Sequence, residues 1–231
     1  FRKKILSNRI KLRKIYYFCG MNSVLAKYGN FPVSATALAL EFPEIRKPAQ
    51  KLGLLERNGD IIRLKRGLYV CSKKVSGKTI SLELVANRLL TPSYVSMSTA
   101  LRYYGFIPEA VYVTQSMTTK EPREYETPIG RFLFTHIKKE AFNIGIRNVE
   151  ENGYSFLIAS PEKALCDLIA QTPSLFLRYR KEALAYLEED IRFDMDAFYR
   201  LNPEIFKRYI AICGKKATSV NTILTLLTEH G

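Results

Sequence analysis

Tryptophan is absent from this chain of 231 residues, and histidine occurs only twice, at His136 and His230. With so few imidazoles a metal centre would have to rely on carboxylates, and neither histidine has a ligand-type neighbour at helical spacing. Both are read as structural or solvent-exposed, and no metal is expected. Cysteine is also sparse: Cys19, Cys71, Cys166 and Cys213 stand far apart with no Cys-x-x-Cys pair. That spacing argues against a zinc site and a dense disulfide framework, and favours a reduced compartment. No apolar run approaches the roughly 20 residues of a membrane-spanning helix. The basic amino-terminal stretch is not followed by the apolar block of a secretory signal, so a cytoplasmic location away from the membrane is expected. Neither a GxxxxGK(S/T) loop nor a GxGxxG turn occurs, which leaves ATP and dinucleotide chemistry without support; no cofactor is expected.

What the chain does have is positive charge, unevenly placed. Residues 1–80 contain 18 Lys and Arg against 4 acids, whereas residues 81–231 contain 18 of each sign. The whole excess of +14 therefore sits in the first third. A field of that kind attracts a polyanion and leaves the rest of the molecule neutral and able to pack. An anionic membrane would favour a basic amphipathic segment with exposed bulky apolar residues rather than a compact basic domain. Nucleic acid is the expected partner.

Periodicity divides the chain into a basic segment over residues 1–20, a DNA-binding domain over 21–72 and a second domain over 79–231. Leu12, Ile15, Tyr16 and Cys19 recur at helical spacing among Arg9, Lys11, Arg13 and Lys14, and Met21, Val24, Leu25 and Tyr28 repeat that spacing before Gly29. Ser34 can cap a helix carrying Leu38 inward, which Pro43 stops. Another helix begins at Pro48, buries Leu52 and Leu55, and ends at Asn58-Gly59. Ile61 to Val70 reads as two short strands around a basic turn at Lys65 to Gly67. Three helices and a hairpin make a winged helix-turn-helix. Ser72 to Lys78 reads as a linker, followed by a helix with Leu82, Val85, Ala86 and Leu89 on one face. Ser96 or Ser98 opens a helix closed by Gly105, and strands are expected at 111–114, 131–137 and 154–159. Ser160-Pro161-Glu162 is a helix start, and the remainder reads as helical. The fold class is α+β: a winged helix-turn-helix followed by a mixed α/β domain with a small sheet and several helices.

A helix in the major groove reads base edges while nearby cations grip phosphates. Arg46, Lys47, Gln50 and Lys51 surround the start of the recognition helix, where Gln50 suits adenine and Arg46 suits guanine. Each is equally explained as a solvated or phosphate-facing side chain. Arg63, Lys65 and Arg66 decorate the wing, positioned to follow a phosphate backbone or enter a minor groove. Ser34 and Thr36 are further phosphate-contact candidates, with helix capping the simpler role for Ser34.

IIRLKRGLYV, SMSTALRYYGFIPE, TPIGRFLFTHI and ASPEKALCDLI resemble segments of the AbiEi-type antitoxins of bacterial type IV toxin–antitoxin systems, over about residues 20–170. The resemblance implies an amino-terminal winged helix on operator DNA, a carboxy-terminal domain associated with antitoxin activity, a nucleotidyltransferase toxin as functional partner, and autorepression of a two-gene operon. Ser98, Arg102, Tyr103, Tyr104 and Arg131 fall at motif positions that capping, packing and surface charge also explain. A standalone regulator without a toxin is the alternative. An inverted-repeat operator of double-stranded DNA would call for two copies, as in a homodimer.

Two other classes fit the sequence less well. A metal-dependent nuclease needs clustered carboxylates and a lysine, yet no Asp/Glu-x-Lys triplet occurs. Glu162 is explained by a helix start, and Asp194 by capping a helix near Asp196, without the Gly-Ser pair of a nucleotidyltransferase. An RNA-binding module would use the tyrosines for stacking, but Tyr16, Tyr17, Tyr28 and Tyr69 accompany apolar residues that pack. The reading is a DNA-binding repressor with no catalytic residues.

Overall fold

The computed structural model describes residues 24–229. The expected basic helix over the first twenty residues, the Met21 end of the next one, Cys19 and His230 lie outside that range. Within it the protein is mixed α and β, with two sheets, and it divides into two compact units, the first running to Ser81 and including Thr127–Ile129, the second made of Leu82–Glu126 and the residues from Gly130 on.

In the first unit a helical turn at 24–26 leads to β1 (Val33–Ser34), α1 (Ala35–Leu40), α2 (Pro48–Arg57) and a hairpin of β2 (Ile61–Lys65) and β3 (Leu68–Cys71). Local chemistry sets the boundaries. Ser34 Oγ accepts from the Ala37 amide at 3.1 Å, so the serine caps α1. Pro48 occupies the first turn of α2, where a missing N–H breaks no bond. Gly59 and Gly67, at φ +70° and +78°, supply the left-handed residues that end α2 and turn the hairpin. The sheet order β1-β3-β2 puts Ser34 opposite Leu68, and the Ala35 amide donates to Gly67 O at 2.9 Å. The core is Leu25, Val33, Leu38, Phe42, Leu52, Leu55, Ile61 and Tyr69, with Cys71 and Val75 completing it. Val75 belongs to α3 (Lys73–Ser76). The expected linker at Ser72 to Lys78 is therefore partly helical, because one valine among polar residues is enough to dock that turn.

Two groups, one in this core and one packed against it, oppose folding when they ionise. Burial pushes the Cys71 thiol from an ordinary 9.0 to about 11, and burial followed by the hydrogen bond to Glu41 pushes Tyr28 from 10.0 to about 12. Both folded values are raised. Their contribution is thus complete below pH 9.0 and is lost as pH climbs through about 11 and then about 12. Glu41, held low first by its hydrogen bond from Lys27 and then by that from Tyr28, acts oppositely, losing its contribution as pH falls below 4.5. A urea series from pH 8 to 11 should show the first unit's stability falling. Cys71→Ala should flatten the lower part of that fall, and an unchanged slope would exclude the thiol as its source.

The second unit carries a six-stranded sheet in the order β6-β7-β5-β4-β9-β8. Its strands are β4 (Ser93–Val95), β5 (Val113–Thr118), β6 (Arg123–Thr127), β7 (Gly130–His136), β8 (Ile146–Glu151) and β9 (Tyr154–Ala159). β4 runs antiparallel to β5 and parallel to β9, β5 is parallel to β7, and β8 is antiparallel to β9. Its helices are α4 (Leu82–Leu89), α5 (Met97–Tyr103), α6 (Lys139–Phe142), α7 (Pro161–Gln171), α8 (Arg180–Ala185), α9 (Met195–Phe198), α10 (Pro203–Ile210) and α11 (Ala217–Thr228); α4, α5 and α7 pack on the sheet, α10 and α11 pack on α7, and α8 packs on α11. α8 continues into a π-helical turn, Tyr186–Asp190. Ser160 caps α7 and Asp194 caps α9 through side-chain oxygens, as their sequences predict. The sheet is larger than the sequence suggests: β4, β6 and β8 were not expected, and the first of the expected strands lies at 113–118 instead of 111–114.

Candidate nucleic-acid interface

Most of the expected contact residues are exposed around the start of α2 and along the hairpin. Arg46, Lys47 and Gln50 are exposed, as are Ser34, Thr36, Arg63 and Arg66, and Lys65 is half-buried. The Ser34–Leu68 pairing and the Ala35–Gly67 hydrogen bond bring the start of α1, with Thr36, beside the hairpin turn that carries Arg66. Ser34 spends its hydroxyl on the Ala37 amide, so capping explains it. Arg63 is partly engaged within the unit, with Nη2 donating to Tyr69 Oη at 3.2 Å and Nε 3.9 Å from Glu56.

Lys51 differs from its neighbours. It is only 7% exposed, and its ammonium lies 5.3 Å from the centre of the Phe42 ring. Lys51 sits one helical turn before Leu55 and shares its inward face. Expected as a base or phosphate contact, it is buried with its ammonium near the Phe42 ring, an arrangement suited to packing and a cation–π contact.

A second arrangement, in the second unit, was missed by sequence reasoning. Lys163 and Asp167 lie one turn apart on α7, both with side chains 0% exposed, with Nζ 2.9 Å from Oδ1. Tyr209 on α10 donates its hydroxyl to the same oxygen at 3.0 Å. Tyr94 on β4 and Ser96 just after it donate to Oδ2 at 2.9 and 2.7 Å. The Lys163 ammonium also sits 4.3 Å from the Tyr209 ring centre. Burial first, and then the Asp167 carboxylate, raise both phenols far above their ordinary range, so they remain donors at any physiological pH. Four donors thus satisfy one carboxylate. The cluster ties the sheet to α7 and α10, and it offers no vacant position to a substrate. The visible signal was a Lys and an Asp at i, i+4 flanking the apolar run Ala164-Leu165-Cys166.

Two smaller expectations change for the same reason. Ser96 precedes α5 but makes no capping bond, because its hydroxyl goes to Asp167. Glu162 is more than an acid at a helix start: it is 5% exposed and its Oε1 accepts from the Asn202 amide at 3.0 Å, joining α7 to α10. The other motif residues have structural partners. The Ser98 amide donates to Gln115 Oε1, Arg102 donates to Pro108 O, Arg131 pairs with Glu124 and Glu126, and Tyr103 meets Tyr104 and Phe156 edge-on.

No described helix is long and apolar enough to cross a membrane, and the described residues contain no group of three or more His, Cys, Asp or Glu placed to hold a metal. No protein-family model matches the chain, and no curated protein matches it at a significant level.

Proposed function

We propose that the first unit is a winged helix-turn-helix, with α2 as recognition helix and β2–β3 as wing, and that the protein is a sequence-specific DNA-binding repressor of the AbiEi antitoxin type that controls its own operon. The observation that carries this reading is the exposure of Arg46, Lys47 and Gln50 around the start of α2, together with Arg63 and Arg66 on the hairpin. Exposed cations next to a helix start grip phosphates and set the register, while a short polar side chain in the first turn reaches base edges. The partner is duplex DNA, bound at inverted repeats by two copies, with a nucleotidyltransferase toxin as the functional counterpart. No catalytic step belongs to this reading.

The test is fluorescence anisotropy of the full chain on a duplex from its own upstream region, against a scrambled duplex of equal length. Preference for the native sequence is the expected result, and single-stranded RNA should not compete. Gln50→Ala should lose about tenfold of that preference, concentrated at one base pair of each half-site, the size of one bidentate base contact. Equal affinity for both duplexes would exclude operator recognition.

A further inference from the structure

The ten residues of α2 divide between an inward and an outward side. Lys51, Leu52 and Leu55 are buried, whereas Gln50, Leu54 and Arg57, spaced four and three residues apart, are exposed. Leu54 is 44% exposed, a bulky apolar side chain between a glutamine and an arginine. Gly53 lies on the same side, three residues after Gln50 and four before Arg57.

Nothing among the described residues calls for a glycine at 53. Its φ is not in the left-handed region, and a Cβ placed on it would meet only Arg57 Nη1, at 3.7 Å, an ordinary contact with the movable end of a side chain. Alanine would therefore fit, and inside a helix glycine is the poorest residue after proline. What glycine does supply is room for a ligand to come close to the backbone. An exposed leucine beside an unfilled position on the outward side of α2 makes a small apolar notch.

Exposed cations stand at both ends of this stripe, Arg46 and Lys47 before it and Arg57 at its close, so the face suits a polyanion and not an apolar protein surface. In the major groove of duplex DNA the apolar group that marks a base is the C5-methyl of thymine. We infer that Gly53 and Leu54 take a thymine methyl, which makes Leu54 a second specificity-determining residue beside Gln50. Leu54 packs on the methyl, and the missing Cβ at Gly53 lets the base edge approach the helix. Four helical residues rise about 6 Å and stacked bases are about 3.4 Å apart, so this thymine lies within about two base pairs of the base met by Gln50. The inference rests on the reading of α2 as a recognition helix.

The experiment is an anisotropy titration of the full chain on the native upstream duplex, with each thymine of a half-site replaced in turn by deoxyuridine, which lacks only the methyl. One position should weaken binding about fourfold, the worth of one buried carbon. Leu54→Ala should bind the thymine and uracil duplexes alike at that position. Gly53→Ala separates recognition from folding: its melting temperature should rise, because alanine favours the helix, while its affinity for the native duplex falls about tenfold, the cost of forcing one extra carbon into a filled contact. Indifference to deoxyuridine at every position overturns the inference, as does a thymine preference that survives Leu54→Ala, or parental affinity in Gly53→Ala. Any of these in a protein that still prefers native over scrambled duplex leaves the repressor reading standing. Equal binding of native and scrambled duplexes removes both.

Discussion

Asp167→Ala is expected to destabilise the second unit by about 3–5 kcal/mol, the cost of leaving a buried partner charge uncompensated. The substitution strands the Lys163 ammonium at 0% exposure and removes the acceptor of Tyr94, Ser96 and Tyr209 together. Against a typical total of about 5–15 kcal/mol, the loss is enough to partly unfold the unit near body temperature. Urea denaturation followed by circular dichroism and tyrosine fluorescence would measure it. The double variant Lys163→Met with Asp167→Leu should recover the part of the loss that comes from the stranded ammonium, while the hydroxyls of Tyr94, Ser96 and Tyr209 still lack their acceptor. A single variant within 1 kcal/mol of the parent, a threshold set by the usual worth of one neutral hydrogen bond, would show that the cluster does not hold the unit together.

Reversing the hairpin charges is expected to have the largest effect on binding. Lys65→Glu with Arg66→Glu should lower affinity for native and scrambled duplexes alike, on the order of a hundredfold at moderate salt. The slope of log affinity against log salt should shrink by about two, one unit for each phosphate contact removed. Arg66 is exposed at the turn and Lys65 ends β2 half-buried, so a thermal melt of the double variant checks that the first unit stays folded. A parental slope and affinity in the double variant would place the docking surface elsewhere on the molecule.

The parts of the fold legible in the sequence are those set by neighbours along the chain. Pro48 starts α2, Gly67 turns the hairpin, and Ser160 with Pro161 begins α7, each through a backbone requirement of a single residue. β4 was invisible because it is only Ser93–Val95, and its stability comes from pairing with β5 and β9, far away in sequence. β6 and β8 carry charged and polar residues such as Arg123-Glu124 and Glu150-Glu151, which suit sheet edges but give no apolar alternation. The buried cluster was half legible. Lys163 and Asp167 are a visible i, i+4 pair, but Tyr94, Ser96 and Tyr209 reach Asp167 across separations of 73, 71 and 42 residues. At the candidate interface the sequence gives the charges but not their exposure: Arg46 and Lys47 are exposed whereas Lys51 is buried, because composition counts a lysine without asking which side of its helix it occupies.

The bond from Ala35 to Gly67 has a mechanical consequence. It fastens the hairpin's bend to the first residue of α1, so the tip and that helix share one lever. A pull applied at Arg66 is transmitted through that bond and the adjoining β1–β3 pairing to α1 and, by packing, to α2, instead of being absorbed by a slack loop.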